Sequence, residues 1–363
     1  MKIKALETYT RSELSVVKVI TDDGREGFGQ MSPFNADIST EVFHRQVAPH
    51  VLGKNPFNIK EIINDCLIKE YKYPGTYIRR ALSGLDTSLW DLKGKVKEKS
   101  VCELLGGTNG YVDVYGSSMS REIKPEEEAK RLKKLQQKYG FKAFKIRIGK
   151  VCGFDEDQWP GRTEEIVPAV RKAIGEETKL YVDANSCYTP EKAIEIGKML
   201  AQYNVVHFEE PCPYWKLDWT KQVTDELDVP VAGGEQDNSI EQWKRIVNDG
   251  VVDIVQPDIC YIGGLSRAYQ VAQMAQKEGL SCTPHSSNLS LITVFTLHFL
   301  KAIDNAGPFL EFSIEDDSWV GDLYTPHLEV EDGKVLIPEG PGWGVELNNK
   351  WLNKSNYRVS RHQ

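Results

Sequence analysis

Seven short apolar runs between Phe141 and Ser313 each have one or two polar residues at or near their carboxyl ends. The polar residues are Lys145 and Arg147, Asp183 and Asn185, Glu209, Glu235, Asp258, His285, and Glu311. From Asp183 onward, the successive steps between the acids and the histidine are 26, 26, 23, 27 and 26 residues. A strand, a helix and their loops need such a length, because parallel strands are joined by long crossovers. The pattern predicts an α/β barrel whose polar residues meet at the mouth formed by the strand ends.

The chain on either side of this period follows other patterns. In residues 1–111, strand-like runs are followed by apolar residues at three- and four-residue spacing, which predicts an α+β unit. The predicted barrel takes residues 112–320 and contains eight candidate strands. Residues 321–363 lose the period, and we expect this segment to leave the barrel and pack on the N-terminal unit.

Composition narrows the class of partner. The chain of 363 residues has 27% charged residues and a net charge of −8, which gives no basic footprint for nucleic acid. A small anionic substrate is compatible with this charge, because a bound metal can dominate the field of a site. The most apolar segment, Leu289 to Leu300, is too short to span a membrane, so we interpret it as a buried helix of the barrel.

Cysteines and the N-terminal residues bear on the cellular compartment. The seven cysteines are scattered and include no Cys-x-x-Cys pair, which argues against a disulfide framework and fits a reducing compartment. The first 17 residues contain no continuous apolar stretch of the signal-peptide type. We therefore expect a cytoplasmic protein.

Three of the polar residues are carboxylates on successive predicted strands. Asp183, Glu209 and Glu235 would repel one another in one site unless a cation neutralised them. Oxygen ligands suit a hard cation, and Mg²⁺ is the ion that fits best. Three solvated acids on barrel loops are the alternative, but their matched positions favour a metal site.

Asp258 and His285 end the next two predicted strands. An aspartate bonded to one imidazole nitrogen fixes the tautomer and raises the basicity of the other nitrogen, which makes a general base. A buried histidine with satisfied hydrogen bonds is the alternative. The polar turn around His285, at residues 283–284 and 286–287, favours the catalytic interpretation.

Cations and one further acid complete the predicted site. Lys145 and Arg147 are two residues apart on one strand, so both side chains point to the same face and suggest a carboxylate substrate. Glu311, on the last strand, could donate a proton or hydrogen bond to an enolate oxygen if its pKa is raised. A salt bridge between Glu311 and Lys145 is the alternative.

The sequence carries, in order, the motifs ALSGLDTSLWDLKGK (residues 81–95), ELLGG (residues 103–107), VDAN, FEEP, GGE, QPDI, IGG and PHS. At these motifs the chain resembles the mandelate racemase branch of the enolase superfamily, over nearly its whole length. The muconate-lactonizing branch would have a lysine at the position of Asp258. The resemblance implies a modified (β/α)₇β barrel, with an α+β capping domain that the C-terminal segment completes. It also implies one Mg²⁺ on Asp183, Glu209 and Glu235, and abstraction of the proton α to a carboxylate to give an enolate.

One position departs from the pattern of this branch. Its second barrel strand usually carries Lys-x-Lys, in which the second lysine is a base, whereas this chain has Arg147 there. A guanidinium stays protonated, so Arg147 is a poor base but a good donor to a carboxylate, a hydroxyl or an enolate. A racemase or epimerase needs a proton acceptor on each face of the substrate. The departure therefore favours a sugar-acid dehydratase, in which His285 removes the α proton and then protonates the departing β-hydroxyl.

Two other classes of function stay open. An isomerase of the same superfamily would be a cycloisomerase that opens a lactone or an anhydro sugar acid, or an epimerase with an unusual second base. A non-catalytic binding protein that kept the barrel is the remaining hypothesis. The intact carboxylates and the intact Asp258–His285 pair argue against it.

The resemblance also suggests which residues meet the rest of the substrate. Two loops of the capping domain close over the substrate in this family, so we expect Arg11, Tyr77 and Arg80 to reach its distal part, with Asn185 binding it at the mouth. Ordinary surface or interdomain contacts are the alternative for the three capping residues. The resemblance implies a small anionic sugar acid as the ligand and a homo-oligomer as the assembly.

Overall fold

The computed structural model describes residues 1–362, and its N-terminal unit opens with an antiparallel meander. The strands are β1 (Ile3–Arg11), β2 (Leu14–Thr21) and β3 (Glu26–Gln30). β2 pairs with both neighbours, in antiparallel register. The β-branched residues of β2 alternate between the two faces of the sheet, and those on one face pack against the helices of the same unit.

Helices cover one face of this sheet. They are α1 (Ala36–Val42), which continues through a π-helical turn (Phe43–Val47) into α2 (Ala48–Val51), then α3 (Ile59–Lys69), α4 (Thr76–Lys97) and α5 (Val101–Leu104). α4 is the central helix, and it lies very close to β3. A Cβ atom on Gly29 would lie 2.2 Å from Thr87 Oγ1 and 2.5 Å from the Ser88 backbone nitrogen. Only glycine therefore permits this approach of strand and helix.

Eight parallel strands follow, and their order confirms the predicted barrel class. They are β4 (Tyr111–Ser117), β5 (Ala143–Arg147), β6 (Lys179–Asp183), β7 (Val205–Glu209), β8 (Val231–Gly233), β9 (Ile254–Val255), β10 (Ser281–Cys282) and β11 (Leu310–Ser313). The curled sheet has the order β10-β9-β8-β7-β6-β5-β4-β11. A parallel bridge between Cys282 and Ala306 links β10 to the segment that leads into β11.

Seven helical connections join these eight strands. The helices are α6 (Pro125–Tyr139), α7 (Arg162–Ile174), α8 (Pro190–Ala201), α9 (Leu217–Glu226), α10 (Ile240–Asn248), α11 (Ile259–Ile262) with α12 (Leu265–Lys277), and α13 (Leu291–Leu300). The arrangement is the (β/α)₇β alternation. Every residue of α13 is buried, as the apolar run at this position predicts. Within residues 1–362, no helix combines the length and the apolar character that crossing a membrane requires.

The C-terminal segment returns to the N-terminal unit. It contains β12 (Tyr324–Thr325), β13 (Lys334–Leu336), β14 (Glu346–Leu347), α14 (Asn349–Leu352) and β15 (Asn356–Arg361). β13 pairs with β4, and β15 pairs antiparallel with β1. Between them, the Trp343 ring nitrogen donates to the Thr87 carbonyl of α4 at 3.0 Å, and the Trp343 carbonyl lies 3.1 Å from His298 Nε2 of α13. One tryptophan thus links the capping unit to the barrel.

Candidate active site

The polar residues at the strand ends form one buried cluster. Asp183 and Glu209 are the last residues of β6 and β7, Lys145 and Arg147 lie on β5, and Glu311 lies on β11. Further members follow the strands by a few residues: Glu235, Asp258 and His285. All eight side chains are buried. The structure therefore brings the predicted metal, base and cation residues to the same end of the barrel.

Lys145 holds two of the carboxylates. Its Nζ atom lies 2.8 Å from Glu209 Oε1, 2.8 Å from Glu311 Oε1 and 3.6 Å from Asp183 Oδ2. The Lys145 side chain has no exposed surface. A buried ammonium of this kind is stable because several carboxylate oxygens replace its water shell.

Glu311 is an ionised partner in this arrangement. Burial by itself would raise its pKa, but the charges of Lys145 and His285 lower the pKa of the Glu311 carboxyl to about 2. The carboxylate also accepts hydrogen bonds from Ser117 Oγ at 2.8 Å and from the Ser286 amide at 2.9 Å. The raised pKa that a proton donor would need is absent here. The geometry corresponds to the salt-bridge alternative.

Asp258 performs two tasks at the start of α11. Its Oδ1 atom accepts the amide hydrogens of Cys260 and Tyr261, at 2.7 and 2.9 Å, and so caps the helix. Its Oδ2 atom lies 2.7 Å from His285 Nδ1. A carboxylate held by its helix in this way fixes the orientation of the imidazole.

The second nitrogen of His285 points to the predicted metal ligands. His285 Nε2 lies 3.1 Å from Glu235 Oε2. Burial favours the neutral imidazole, but the charges of Glu235, Glu311 and Asp258 raise the pKa of His285 to about 10. Balancing the charge of Glu235 with a cation would lower this pKa and free Nε2 to accept a proton.

Arg147 is anchored rather than mobile. Its guanidinium forms an ion pair with Asp183, and it donates to the Asn185 side-chain oxygen at 3.1 Å and to the Ser118 carbonyl at 3.0 Å. Asn185 in turn donates its backbone N–H to Asp183 Oδ1 at 2.7 Å. This region has strained backbone, because Asn185, Ser186 and Glu210 all have positive φ angles. Such strain often accompanies functional sites.

The carboxylates fit a hard cation by their chemistry. As they stand, no group of three or more acid, histidine or cysteine side chains in residues 1–362 has a metal-binding arrangement. Each predicted ligand instead has its own partner: Asp183 pairs with Arg147, Glu209 with Lys145 and Glu235 with His285. One buried oxygen, Glu210 Oε1, has no hydrogen-bond partner. Burial, and then the charges of Glu235 and Glu209, raise the pKa of the Glu210 carboxyl. Oxygen ligands of this kind are the ones that Mg²⁺ prefers, so the donor chemistry of Asp183, Glu209 and Glu235 fits that ion.

Two functional contacts were missed by the sequence reasoning. His207 Nε2 and Gln256 Nε2 lie 3.1 and 3.0 Å from Glu209 Oε2. His207 lies two positions before Glu209 on β7, so both side chains are on the same face of that strand. That alternation could have revealed His207, whereas Gln256 follows the end of β9 and had no such signal.

The three capping residues predicted to bind the substrate differ in how they are connected to the buried cluster. The Arg80 guanidinium lies 3.9 Å from the centre of the Tyr261 ring, and that ring lies 5.8 Å from the His285 ring. Tyr77 is partly buried in the first turn of α4. Arg11 is exposed and lies 6.0 Å from the ring of Trp351 in the C-terminal segment. Of the three, Arg80 has the observed connection to the base.

Comparison with known proteins identifies the family. Residues 2–106 match the model of the mandelate racemase/muconate lactonizing enzyme N-terminal domain, and residues 127–351 match the enolase C-terminal domain-like model. The arabinonate dehydratase of Saccharolobus solfataricus is 30% identical over 356 residues, which cover 96% of this chain and 92% of the relative. The chain belongs to the mandelate racemase branch of the enolase superfamily.

Other members of this superfamily have related but different names. The D-galactarolactone cycloisomerase of Agrobacterium fabrum is 29% identical over 359 residues, covering 95% of this chain and 92% of the relative. A crystal structure from Roseobacter denitrificans, described provisionally as that of a racemase, is 50% identical with a TM-score of 0.98 and covers 100% of both chains. The superfamily fold therefore extends over the whole chain, while the relatives differ in the reaction they are named for.

Proposed function

We propose that the protein removes the proton α to the carboxylate of a sugar acid and eliminates the β-hydroxyl as water, which gives a 2-keto-3-deoxy acid. One observation carries this proposal. A single imidazole base, His285 held by Asp258, is combined with a guanidinium, Arg147, at the position where the family usually places a second base. A dehydratase needs one base that later acts as an acid, and this site provides it.

The cofactor in this proposal is one Mg²⁺ per site, held by Asp183, Glu209 and Glu235. When bound, the ion supplies positive charge beside the substrate carboxylate, which makes the α proton more acidic. His207 and Gln256 orient Glu209 through the contacts at 3.1 and 3.0 Å. Residues behind metal ligands of this kind commonly tune metal affinity.

The side chains then have distinct tasks. His285 Nε2 accepts the α proton, and Asp258 keeps the imidazole oriented and stabilises its charged form. Lys145 donates a hydrogen bond to the carboxylate of the substrate as negative charge develops there. The ionised Glu311 holds the Lys145 ammonium in place. The protonated His285 returns its proton to the β-hydroxyl, so water leaves with the electron pair of the broken C–O bond. Arg147 binds and orients the substrate and takes no part as a base.

An isomerase is the second candidate, because two of the similar proteins are named for isomerisations. A cycloisomerase would use the same base, but the departing β-oxygen would stay attached to the product as part of the opened ring. An epimerase would need a second proton acceptor, and the guanidinium of Arg147 does not serve as one. The fate of the β-oxygen therefore separates the two candidates.

Proton NMR in D₂O with Mg²⁺ tests the proposal on a panel of aldonic and aldaric acids, their lactones and anhydro forms. A 2-keto-3-deoxy product with deuterium at C3, formed with loss of water, is the expected result. Deuterium at the α carbon with all hydroxyls intact would mean epimerisation. A keto product of unchanged mass, apart from deuterium, would mean a cycloisomerase. Either of these two results would overturn the dehydratase proposal.

A further inference from the structure

Two guanidinium groups converge at the mouth of the barrel. Arg121, in the loop after β4, donates through Nη2 to the side-chain oxygen of Asn185 at 2.8 Å and through Nε to the Gly149 carbonyl at 3.1 Å. Arg147 donates through Nη1 to the same Asn185 oxygen at 3.1 Å. Two cations therefore share one neutral acceptor. Arg121 did not enter the sequence-based prediction of the site.

The charge of Arg121 is not neutralised by the protein. Only 9% of the residue is exposed, and no carboxylate in residues 1–362 lies within salt-bridge distance of it. Its Nη1 atom has no acceptor among these residues, and it is not one of the fully buried atoms that lack a partner, so it keeps some contact with solvent. Burial and the charge of Arg147 lower the pKa of the Arg121 guanidinium to about 9. The oxygens that Arg121 bonds, those of Gly149, Ile148 and Asn185, are all neutral, so an anion at the mouth would be the first group to balance its charge.

Arg147 has a carboxylate partner that the proposed cofactor would claim. Its ion pair is with Asp183, one of the three proposed Mg²⁺ ligands. A metal on Asp183 would weaken this ion pair, and Asn185 would remain as the acceptor that both guanidiniums share. Lys145, which serves the reacting carboxylate, lies two residues deeper on β5, or about 7 Å along the strand. The two arginines thus stand at a separate level, nearer the entrance.

We propose that Arg121, Arg147 and Asn185 form a subsite for the terminal carboxylate of a dicarboxylic sugar acid. The inference rests on the proposed function and narrows its substrate class to aldaric acids. A guanidinium fork matches a carboxylate, and two forks match its two oxygens. The hydroxymethyl end of a monoacid would leave both positive charges unmet.

Binding to matched acid pairs tests the subsite without turnover. The pairs are galactarate with galactonate, glucarate with gluconate, and arabinarate with arabinonate, whose members differ only in a terminal carboxylate or hydroxymethyl group. Isothermal titration calorimetry with Mg²⁺ is run on the His285→Asn protein, alone and with Arg121→Gln or Arg121→Lys. We expect the tightest aldarate to bind at least ~10-fold more tightly than its aldonate, the size of one charge-assisted contact. Arg121→Gln should reduce this ratio to within about threefold by weakening the aldarate alone, while Arg121→Lys should give an intermediate ratio.

Several results would overturn the subsite. They are aldarate binding no tighter than aldonate binding, equal loss of both ligands in Arg121→Gln, and failure of every aldarate to bind. Arg45→Gln is the matched control, since its side chain is 74% exposed in the capping unit, and it should leave the ratio unchanged. If Arg121→Gln does not fold, Arg121→Lys becomes the deciding variant. An unchanged ratio of aldarate to aldonate affinity in Arg121→Lys would contradict a forked contact between the guanidinium and the carboxylate. If aldarates bind more tightly than aldonates but the NMR assay shows no dehydration, the proposed reaction is wrong and the proposed subsite stands.

Discussion

At the scale of single residues, Asp258 links the cap of a helix to the orientation of the proposed base. One oxygen of Asp258 is bonded to a backbone amide of α11, and the other is bonded to His285. The backbone of α11 therefore fixes the Asp258 carboxylate, and the carboxylate fixes the imidazole. Loss of the base should remove the chemistry without unfolding the barrel. The two substitutions that follow separate the base from its support.

We expect His285→Asn to lower kcat by about 10²- to 10⁴-fold, the usual contribution of a general acid–base residue. Asp258→Asn should lower kcat less and keep substrate affinity, because it misorients the imidazole but does not remove it. Steady-state kinetics on the substrate found by NMR measure both effects. The matched control is His327→Asn, at a histidine that is 59% exposed. Full α-proton exchange in His285→Asn would refute the role of this residue.

His207 offers a second prediction at this scale. Its contact with Glu209 is internal to β7 and does not involve the substrate. Replacing it with phenylalanine should keep the ring packing against Tyr181, 5.0 Å away, but weaken Mg²⁺ binding by about 10- to 100-fold. Calorimetric titration of the metal, without substrate, measures this change. An unchanged Mg²⁺ dissociation constant would show that His207 is only a packing residue.

Sequence reasoning was most successful for residues that a strand places by its period. Asp183 and Glu209 end neighbouring strands, and the regular spacing predicted that they meet. It could not decide between the two roles of Glu311, because the choice depends on a buried lysine reached through folding. Arg121 lies in a loop with no period, so nothing in the sequence predicted its contact with Asn185, 64 residues away.

At the scale of elements, the contact between β3 and α4 decides how closely the capping sheet and its helix pack. Gly29→Ala would place a methyl group 2.5 Å from the Ser88 backbone nitrogen, which cannot move aside without bending α4. We expect a loss of about 2–3 kcal/mol in the free energy of unfolding. Denaturant titration measures it. Gly75→Ala, at a glycine with no heavy atom within 4 Å, should cost below about 1 kcal/mol.

The apolar periods predicted the types of these elements well, including the buried α13. They could not predict the close approach of β3 to α4, because a glycine in a strand indicates only that some neighbour comes near. The apolar periods also could not predict that β13 pairs with β4, because this pairing joins residues more than 200 positions apart.

At the scale of the whole molecule, His298 links three parts of the chain. Its Nδ1 atom accepts the amide hydrogen of Cys102 in the capping unit, while its Nε2 donates to the carbonyl of Trp343 in the C-terminal segment. Both contacts require the neutral ring with its proton on Nε2. Burial lowers the pKa of His298 to about 4.

This histidine should make the fold sensitive to acid. In the unfolded chain its pKa is about 6.5, so the unfolded state binds the proton more tightly than the native state does. Stability is therefore unaffected above about pH 6.5, falls as the pH drops toward 4, and loses up to about 3 kcal/mol from this residue. His298→Gln should flatten that part of the pH profile of unfolding, and His327→Gln should not. Equal slopes for wild type and His298→Gln would contradict the prediction.

The pairing of β15 with β1 has a consequence for the path of the chain. Ala5 lies opposite Arg361, and the amide of His362 donates to the Lys4 carbonyl at 2.9 Å. Two strands that are far apart in sequence are thus neighbours in the capping sheet, and the whole barrel lies between them along the chain. A covalent cross-link between β1 and β15 should raise the melting temperature, because the closed loop of chain between them has fewer unfolded conformations to lose.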